Sequence, residues 1–353
     1  MDLDELRREI DEADQTIIAA LKRRAKAAQA IGEAKAEAGK PAFAPGREAK
    51  VFRRLAEADS DPLPTGALTA IYTEVISACL ALEQPLRVAY LGPEHTFSHL
   101  AVLARFGQAV CPVPQTSFAD ALAAIEKGEA DLAMLPVENS TQGPVGETFD
   151  CVVETHLPVV GEYYLPVQHH LVGDCEMADI EVVYSHPQPL AQCRKWLATN
   201  LGDAQLVPAS SSATAAAQAA ASSNAAAVAP ERAGEVNGLR VLAANIQDDA
   251  ANRTRFWIVG GDAPGPTGKD KTSLVLTTPH RSGALHEALK PFRGFGLNMT
   301  MIQSRPARGR GWEYLFFIDF QGHQADAECA KTLAALRDLC PLLEVLGSYP
   351  EAG

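Results

Sequence analysis

The sequence predicts a multidomain fold with an all-α block first, an α/β block in the middle and an α+β block last. Apolar residues recur at helical spacing from residue 3 to residue 38. From residue 86, short apolar strands alternate with helical patterns. A Gly/Pro-rich linker at 260–271 then precedes a β-α-β-β-α-β order, the ferredoxin-like plan. The 353 residues suffice for two or three domains, and the predicted bounds are 1–84, 86–262 and 272–350.

Three helices are predicted in the first block. One amphipathic helix covers 3–38 and is broken at Gly39, a second covers 47–58, and a third covers 65–83. Three helices of which one is very long do not enclose a compact monomeric core. We therefore expect the apolar stripe of the first helix to be buried in an intertwined homodimer, with a homotetramer left open as the alternative.

The middle block begins with the predicted strand "LRVAYLG", followed by the helices "TFSHLAVLARF" and "SFADALAAIEKG" and the strand "ADLAMLPV". This alternation indicates βα units around a parallel or mixed sheet. The alanine-rich run at 209–227 is predicted to be helical, because alanine has the highest helix propensity and serines lead the run. The strand "RFWIVG" closes the block.

Composition narrows the function classes. The net charge of -13 argues against a nucleic-acid partner, whereas the basic residues concentrated over 22–54 suit a small anionic ligand or, alternatively, a solvated helix face. Seven cysteines without a CxxC or metal-ligand spacing argue for a reducing compartment without disulfides or a metal site. We expect no apolar run of membrane-spanning length, and hence a soluble, cytoplasmic protein without a membrane partner.

Cations on the first helix are spaced to hold a dianion. Arg24 and Lys35 are 11 residues apart, so they share a face about 16 Å apart along the axis. Arg7 lies about 25 Å from Arg24 and is rotated away, so it suits the site of a partner chain instead. Cys79 and Glu83 are four residues apart on the third helix and face the same way.

The segments "LRREID", "LKRRAKAAQAIGEAK", "GREAKVFRRL" and "ISACLALEQP" resemble the all-helical chorismate mutase domain over residues 1–84. The resemblance implies a domain-crossed dimer that rearranges chorismate to prephenate without a cofactor. It implies that Arg24 and Arg47 bind carboxylates, that Lys35 stabilises the ether oxygen and that Glu48 binds the ring hydroxyl. The implied chorismate site is completed by Cys79, Glu83 and the partner's Arg7.

Two positions depart from the mutase pattern. Ala44 stands where some members carry an acidic residue, and Glu83 stands where some members carry glutamine opposite Lys35. A glutamate has to hold a proton in order to donate a hydrogen bond to the ether oxygen. We therefore expect mutase activity that falls as pH rises.

The middle block carries "YLGPEHTFSHLA", "LPVENSTQGPVGETFD", "YSHPQPLAQC" and "NRTRFWIV", which together resemble prephenate dehydratase over residues 86–262. The resemblance implies two α/β lobes like a periplasmic-binding-protein fold and removal of CO2 and the ring hydroxyl from prephenate to give phenylpyruvate. It implies Thr254 as the catalytic residue. A threonine is too weak an acid to ionise, but it can donate a hydrogen bond in a dry site. The implied prephenate-binding residues are Asn139, Ser140, Thr141, Ser185, Gln192, Thr254, Arg255 and Phe256.

Other residues of the middle block keep two interpretations. His95 stands where the dehydratase family has glycine, so it is expected at positive φ, with a catalytic role as the less favoured alternative. His186 is the one other histidine whose replacement is worth testing. Ser210 and Ser211 either cap a helix or offer an anion site. Either Arg253 or Arg255 is expected to pair with a substrate carboxylate or with the cleft wall.

The last block carries "SGALHEALKPF" and "MIQSRP", which resemble the GAL and ESRP motifs of an ACT domain. The resemblance implies L-phenylalanine binding between paired domains and feedback inhibition. Gln303 replaces the family's glutamate, so an acceptor is kept and a charge is lost. The implied phenylalanine-binding residues are Gly283, Ala284, Leu285, Asn298, Met299, Gln303, Ser304 and Arg305.

The combined expectation is a bifunctional enzyme of phenylalanine biosynthesis. A ligand-binding protein with two lobes is a second class, against which the threonine motif counts. A dehydratase whose first helices serve only dimerisation is a third, against which a set of retained charged residues counts: Arg7, Arg24, Lys35, Arg47 and Glu48. The sequence leaves open whether arogenate is accepted and whether prephenate is channelled.

Overall fold

The computed structural model describes residues 2–307 and 314–352. The N-terminal block consists of α1 (Leu3–Glu37), α2 (Pro45–Ala56) and α3 (Thr65–Glu83). Gly39 follows α1 at φ 63°, a conformation that ends the helix at little steric cost because glycine lacks a Cβ. The three predicted helices are confirmed, and their ends differ from the predicted ends by up to two residues.

The apolar stripe of α1 is exposed in the single chain. Leu3, Ile10, Ile17 and Ile31 each keep more than half of their surface accessible. An uncovered stripe over a 35-residue helix is unusual for a monomer, because burial of such residues drives helix packing.

The expectation of no apolar run of membrane-spanning length meets one weak candidate among the described residues. The stretch Gly66–Glu83 of α3 is long and apolar enough to cross a membrane, with a mean hydropathy of 1.3 over 18 residues. Core helices of packed bundles meet the same criterion. In the structure α3 packs on α1, on α2 and on the helix Phe97–Phe106, so its apolar side chains contact other helices of the chain.

The elements of the middle block follow in chain order. The first part comprises β1 (Arg87–Leu91), α4 (Phe97–Phe106), β2 (Cys111–Gln115), α5 (Phe118–Glu126), β3 (Leu132–Asn139), β4 (Gly143–Pro144), α6 (Gly146–Thr155) and β5 (Val159–Pro166). The second part comprises β6 (His170–Gly173), a 3-10 turn (Met177–Asp179), β7 (Val182–Ser185), α7 (Pro187–Gln192), α8 (Arg194–Asn200), β8 (Gln205–Pro208), α9 (Ser212–Ala220), β9 (Ala225–Ala229), α10 (Glu231–Val236) and β10 (Arg240–Ala243). The block ends with β11 (Arg253–Val259).

These strands form two sheets, which define two lobes. The first lobe has the order β2-β1-β3-β11-β5 with β4 beside β3, and the second has the order β10-β6-β9-β7-β8. In the first lobe β1 pairs in parallel with β2 and β3, whereas β11 runs antiparallel to both neighbours, so the sheet is mixed. The chain leaves the first lobe after β5 and returns to it through β11.

The alanine-rich run does not form one helix. Its helical part is α9, and the last alanines form β9 in the middle of the second sheet. Burial between neighbouring strands overrides the helix propensity of alanine there, since every residue of β9 is buried.

The C-terminal block consists of β12 (Asp270–Thr277), α11 (Ala284–Gly294), β13 (Met299–Pro306), β14 (Tyr314–Gln321), α12 (Ala327–Leu339) and β15 (Leu342–Pro350). Its antiparallel sheet has the order β13-β14-β12-β15. The predicted β-α-β-β-α-β order is confirmed.

The first-lobe sheet is the centre of the molecule, because both outer blocks pack on it. Side chains alternate along β11, so Phe256 faces a core that includes Phe43 of the N-terminal block. Trp257 faces the opposite core, which includes Phe317 of the C-terminal block. Gly347 of β15 lies against the backbone of Val159, where an added Cβ would meet the carbonyl oxygen at 1.9 Å.

Candidate active sites

Thr254 lies near the start of β11, directly opposite Asn139 at the end of β3. The Nδ2 of Asn139 donates a hydrogen bond to the Oγ1 of Thr254 at 3.0 Å. The orientation of this amide is set by its other atom, because Oδ1 accepts from the backbone N–H groups of Thr141 and Gln142. The threonine oxygen is therefore an acceptor here, and its own hydrogen is free to be donated to a ligand.

Further polar side chains extend this contact across the two lobes. Asn139 also donates to Oδ1 of Asn252 at 2.9 Å, and Asn252 donates to Oε1 of Gln192 at 3.1 Å. Gln192, on α7 of the second lobe, donates to the hydroxyl of Thr141 at 3.1 Å. Three predicted prephenate residues thus join Thr254 in one network. Asn252 was missed by sequence reasoning, although it directly precedes the threonine motif.

His169 also belongs to this network. Its Nε2 lies 2.6 Å from Oε1 of Gln192. Since that oxygen already accepts from Asn252, Nε2 must carry the hydrogen and donate it. Burial lowers the pKa of His169, so the neutral ring is favoured. The edge of Phe97 packs against the ring at a centroid distance of 5.3 Å.

The two predicted serines are placed differently. The hydroxyl of Ser140 accepts from the backbone N–H of Arg253 at 3.0 Å and thereby fixes the start of β11. Ser185 is fully buried at the end of β7, and its hydroxyl donates to the carbonyl of Val228 at 2.7 Å. Ser140 thus supports the strand that carries Thr254, whereas Ser185 supports the second sheet.

Arg255 does not face Thr254, which corrects its predicted role as a prephenate ligand. Successive side chains on a strand point to opposite faces. Arg255 is buried on the face toward the C-terminal block, where it pairs with Glu162 at 2.8 Å and Asp319 at 2.6 Å. Burial opposes its charge, but the nearby Tyr349, Asp319 and Glu162 raise its pKa. Phe256 is also not exposed to a ligand, because it lies in the core.

The loop between β1 and α4 carries His95 beside these strands. Its φ is 65°, so the expected positive φ is confirmed. Its backbone N–H donates to Nδ1 of His99 at 2.9 Å, and the ring of His99 stacks on Tyr90 at 5.3 Å. Ser211 caps α9 through the N–H of Thr214, which is the simpler of its two interpretations.

In the N-terminal block, Lys35 meets Glu83 as predicted. The Nζ of Lys35 lies 3.3 Å from Oε2 of Glu83 and donates to the carbonyl of Ala42 at 2.6 Å. The two helices approach closely because residue 32 is glycine, where a Cβ would lie 2.9 Å from the Cβ of Glu83. Arg24 donates to the carbonyl of Val75 at 3.2 Å.

The other predicted chorismate residues are dispersed in the single chain. Arg7 is exposed and pairs with Asp4 of its own helix. It lies near the start of α1, whereas Lys35 lies near its end. Cys79 is buried in α3. Arg47 and Lys35 line a cavity of about 350 Å³ together with Lys40 and Lys50. The linker at 262–267 forms the opposite wall of this cavity.

Glu48 has a partner from the middle block. It forms an ion pair with Arg105 at the end of α4, and both side chains are largely buried. The guanidinium of Arg105 also lies over the rings of Phe43 and Phe106, at 5.8 and 5.0 Å from their centroids. The first and middle blocks therefore share a charged contact at a predicted chorismate residue.

In the C-terminal block, Gly283 precedes α11 at φ 78°. It lines a cavity of about 560 Å³ with Ala284, Leu285, Tyr314 and Phe316. The remaining wall of this cavity is formed by residues 278–282 and 286.

The other predicted phenylalanine residues are spread along the sheet, and Asn298 lies away from this cavity within one chain. Ser304 pairs with Phe316 in the sheet, whereas Asn298 bonds Gln321 at the far end, about 20 Å along the strands. Met299 lies beside Asn298. Gln303 donates to the carbonyl of Ser304 at 3.0 Å.

Arg305 does not reach the cavity either, which corrects its predicted role within the chain. Its guanidinium pairs with Asp150 of α6 at 2.7 Å. It also fills the space beside Gly146, where an added Cβ would lie 1.9 Å from a guanidinium nitrogen. Arg305 therefore ties the C-terminal block to the first lobe.

Comparison with known proteins identifies two families along the chain. Residues 88–264 match the prephenate dehydratase family, and residues 6–84 match the type II chorismate mutase family. A bifunctional chorismate mutase/prephenate dehydratase of Aquifex aeolicus is 40% identical over 99% of this chain and 98% of its own.

Two solved structures are similar over the middle and C-terminal blocks. A prephenate dehydratase of Arthrobacter aurescens in complex with L-Phe is 36% identical, with a TM-score of 0.70 over 76% of this chain and 90% of that chain. A protein described as a quorum-quenching acylase, GqqA, is 32% identical, with a TM-score of 0.69 over 75% of this chain and 98% of that chain. The near full-length identity and the two matched domains together show that the chain belongs to the bifunctional chorismate mutase/prephenate dehydratase family and carries both activities.

Proposed function

We propose that Thr254 donates a hydrogen bond to the ring hydroxyl of prephenate as that group leaves as water. The bond from the ring to its carboxylate breaks, its electron pair enters the ring, the carbon–oxygen bond breaks, and one proton is taken up overall. The observation that supports this role is the hydrogen bond from the Asn139 amide to the Oγ1 of Thr254, which leaves the hydroxyl hydrogen of Thr254 free to be donated. Donors preorganised toward a leaving oxygen need no reorganisation during the reaction.

Asn139, Thr141 and Gln192 are proposed to line the same cleft, because they are bonded to Thr254 or to one another. A dianion also needs a cation. Arg253 is exposed, and its guanidinium lies 5.3 Å from the ring centroid of Tyr164. Of the two arginines that flank Thr254, Arg253 is the exposed one, but alternation along β11 and its contact with Tyr164 place it on the same face as Arg255. Neither arginine is therefore proposed as the partner of a substrate carboxylate.

The test is to give purified protein chorismate and to follow chorismate loss and phenylpyruvate formation separately. Both signals are expected, with prephenate as the intermediate. Addition of prephenate alone isolates the second step. Phenylpyruvate formation from added prephenate, with no chorismate loss in the first assay, would contradict the proposed mutase site and leave the dehydratase proposal standing.

For the mutase we propose that Lys35 stabilises the breaking ether oxygen and that Glu83 lies opposite it. Their 3.3 Å contact supports a shared site. Arg24 and Arg47 are proposed to bind the carboxylates, with Glu48 at the ring hydroxyl and Cys79 in the wall. The exposed stripe of α1 supports a homodimer in which a second copy supplies Arg7.

The mutase rate is expected to fall as pH rises, because Glu83 donates to the ether oxygen only while it holds a proton. Glutamine donates at every pH, so Glu83→Gln is expected to flatten the profile. The measurement is chorismate loss between acid and alkaline pH for both proteins. A flat profile for the unmodified protein would remove the proposed donor role.

Arg105 is expected to support the mutase although it lies on a dehydratase helix, since it holds Glu48 in place. Arg105→Ala should raise the KM for chorismate about tenfold, the effect of losing roughly 1.4 kcal/mol of binding. Arg105→Lys keeps the positive charge, so it should raise the KM for chorismate less than Arg105→Ala does. The matched control is Arg87→Ala, which removes an ion pair with Asp131 elsewhere in the same lobe. An unchanged KM in Arg105→Ala would show that Glu48 needs no such support.

We propose further that the C-terminal block is an ACT domain that binds L-phenylalanine and inhibits the dehydratase. Its cavity at Gly283, Ala284 and Leu285 and the L-Phe complex of the Arthrobacter relative support this proposal. Asn298 lies at the far end of the sheet from this cavity, so a second copy is proposed to supply it with Met299, Gln303 and Ser304. Dehydratase activity that is unchanged in millimolar phenylalanine would contradict the regulatory role.

A further inference from the structure

Four charged side chains are buried together between the first-lobe sheet and the C-terminal sheet. Arg255 and Glu162 come from the dehydratase, and Lys271 and Asp319 come from the C-terminal block. None is more than 5% exposed. We call these four residues the interface ion cluster. Two cations and two anions compensate one another, which a buried charged group requires.

The contacts of the cluster are short and use most of its polar atoms. Arg255 pairs with Glu162 at 2.8 Å and with Asp319 at 2.6 Å, and Lys271 pairs with Glu162 at 2.7 Å. Two hydroxyls complete the arrangement, because Arg255 donates to Tyr349 at 3.1 Å and Ser273 lies 2.6 Å from both Tyr349 and Asp319. Oδ1 of Asp319 accepts from Ser273, whereas its Oδ2 contacts Arg255 as a close ion pair without a hydrogen bond.

This cluster fixes the strand that carries Thr254. Arg255 follows Thr254 directly on β11 and points to the opposite face of the sheet. Its guanidinium is held by a carboxylate from β5 and one from β14, so the backbone on which both residues sit has a side-chain anchor on that face. On the other face, the amide of Asn139 holds the threonine hydroxyl.

The anchor depends on the C-terminal block. Asp319 lies on β14, and the same strand carries Tyr314 and Phe316 in the wall of the cavity beside Gly283. Tyr314 and Phe316 face the helices of that block, whereas Asp319 faces the dehydratase, as alternation along a strand requires. One strand therefore links the proposed effector cavity to the partner of Arg255.

We infer that Arg255 is a positioning residue for Thr254 and that Asp319 of the C-terminal block holds it in place. This inference rests on the proposed donor role of Thr254. The C-terminal block then contributes to the dehydratase site indirectly, because Asp319 holds Arg255 and Arg255 adjoins Thr254. A shift of β14 therefore moves Thr254. Displacement of a reacting group by about 1 Å lowers a rate on the order of a hundredfold.

The test is Asp319→Asn in the full-length protein, which keeps the shape of the side chain and removes its charge. The kcat for phenylpyruvate formation from added prephenate should fall about ten- to hundredfold, while KM changes less than about threefold. The mutase activity of the same sample should be unchanged and reports the folded fraction. Arg255→Lys, which keeps the charge, should lose less kcat than Arg255→Met.

The matched control is Ser348→Ala. Its hydroxyl is also fully buried in the C-terminal sheet, but it bonds Thr272 and the N–H of Gln324 on the helix-covered face. This variant should lower the melting temperature without lowering kcat. If Ser348→Ala reduces kcat as much as Asp319→Asn does, the cluster acts only through stability and the inference is overturned.

A milder variant covers the case in which Asp319→Asn does not fold. Tyr349→Phe removes one hydroxyl that Arg255 donates to, and a fall in kcat of about threefold or more is expected. An unchanged kcat in Tyr349→Phe together with unchanged kcat in Arg255→Lys would overturn the inference. Loss of activity in Thr254→Val with normal activity in the cluster variants would do the same while leaving the proposed role of Thr254 intact.

Discussion

Replacement of Thr254 by valine is expected to lower phenylpyruvate formation about 10²- to 10³-fold and to leave chorismate loss unchanged. The size of the effect is that of removing one preorganised donor from the oxygen at which charge develops. Valine keeps the branching of threonine at Cβ and the preference for strand conformation that comes with it, so the strand should remain in place. Asn139 loses one acceptor but still donates to Asn252 at 2.9 Å, which limits the structural cost.

The measurement is the rate of phenylpyruvate formation from prephenate, with chorismate loss recorded on the same sample. Thr254→Ser is the matched control, because it retains the hydroxyl and should keep activity within about tenfold of the unmodified enzyme. Equal losses in the serine and valine variants would indicate that the methyl group matters as much as the hydroxyl. Comparable activity of the valine variant would remove Thr254 from the reaction.

Replacement of Lys35 by alanine is expected to have the second-largest effect, a loss of about 10²- to 10³-fold in kcat/KM for chorismate. The rearrangement develops charge on the ether oxygen, and a fixed ammonium stabilises it. Lys35 is held for this purpose by the carbonyl of Ala42 and by Glu83. Phenylpyruvate formation from added prephenate should be unaffected, because Thr254 lies in a different block.

Lys40 offers a matched control for this prediction. It lines the same cavity as Lys35 but is exposed, so its charge is screened by solvent. Lys40→Ala should change kcat/KM for chorismate by less than about threefold. If both variants lost activity equally, the general positive charge of the cavity rather than a specific contact of Lys35 would be responsible.

The two blocks with regular patterns could be predicted closely from the sequence. The helical spacing of α1 and the β-α-β-β-α-β order of the C-terminal block depend on local periodicity, which the chain displays directly. The meeting of Lys35 and Glu83 followed from the helical faces and from the mutase resemblance. The strand β9 was harder to separate from α9, because alanine favours helices and only burial in the sheet decides otherwise.

Two of the residues assigned wrongly lie at the contact between the first lobe and the C-terminal block. Arg255 and Arg305 both lie in motifs associated with ligands, and both are engaged by partners from another block, Asp319 and Asp150. Those carboxylates are distant in sequence from the arginines, so no residue spacing along the chain predicts the ion pairs. His169 and Asn252 were overlooked for the same reason, since their roles depend on Gln192 of the second lobe.

The sequence by itself determined most of the elements, the family and the motif that carries Thr254, the proposed catalytic residue. Helix and strand periods are local properties, and the threonine motif is contiguous, so both can be recognised along the chain. Tertiary structure alone decided which arginine beside Thr254 is free and which is buried. The reason is that Arg253 and Arg255 share one face of β11, and only the packing of the C-terminal block, with Asp319, over Arg255 buries one and leaves the other exposed.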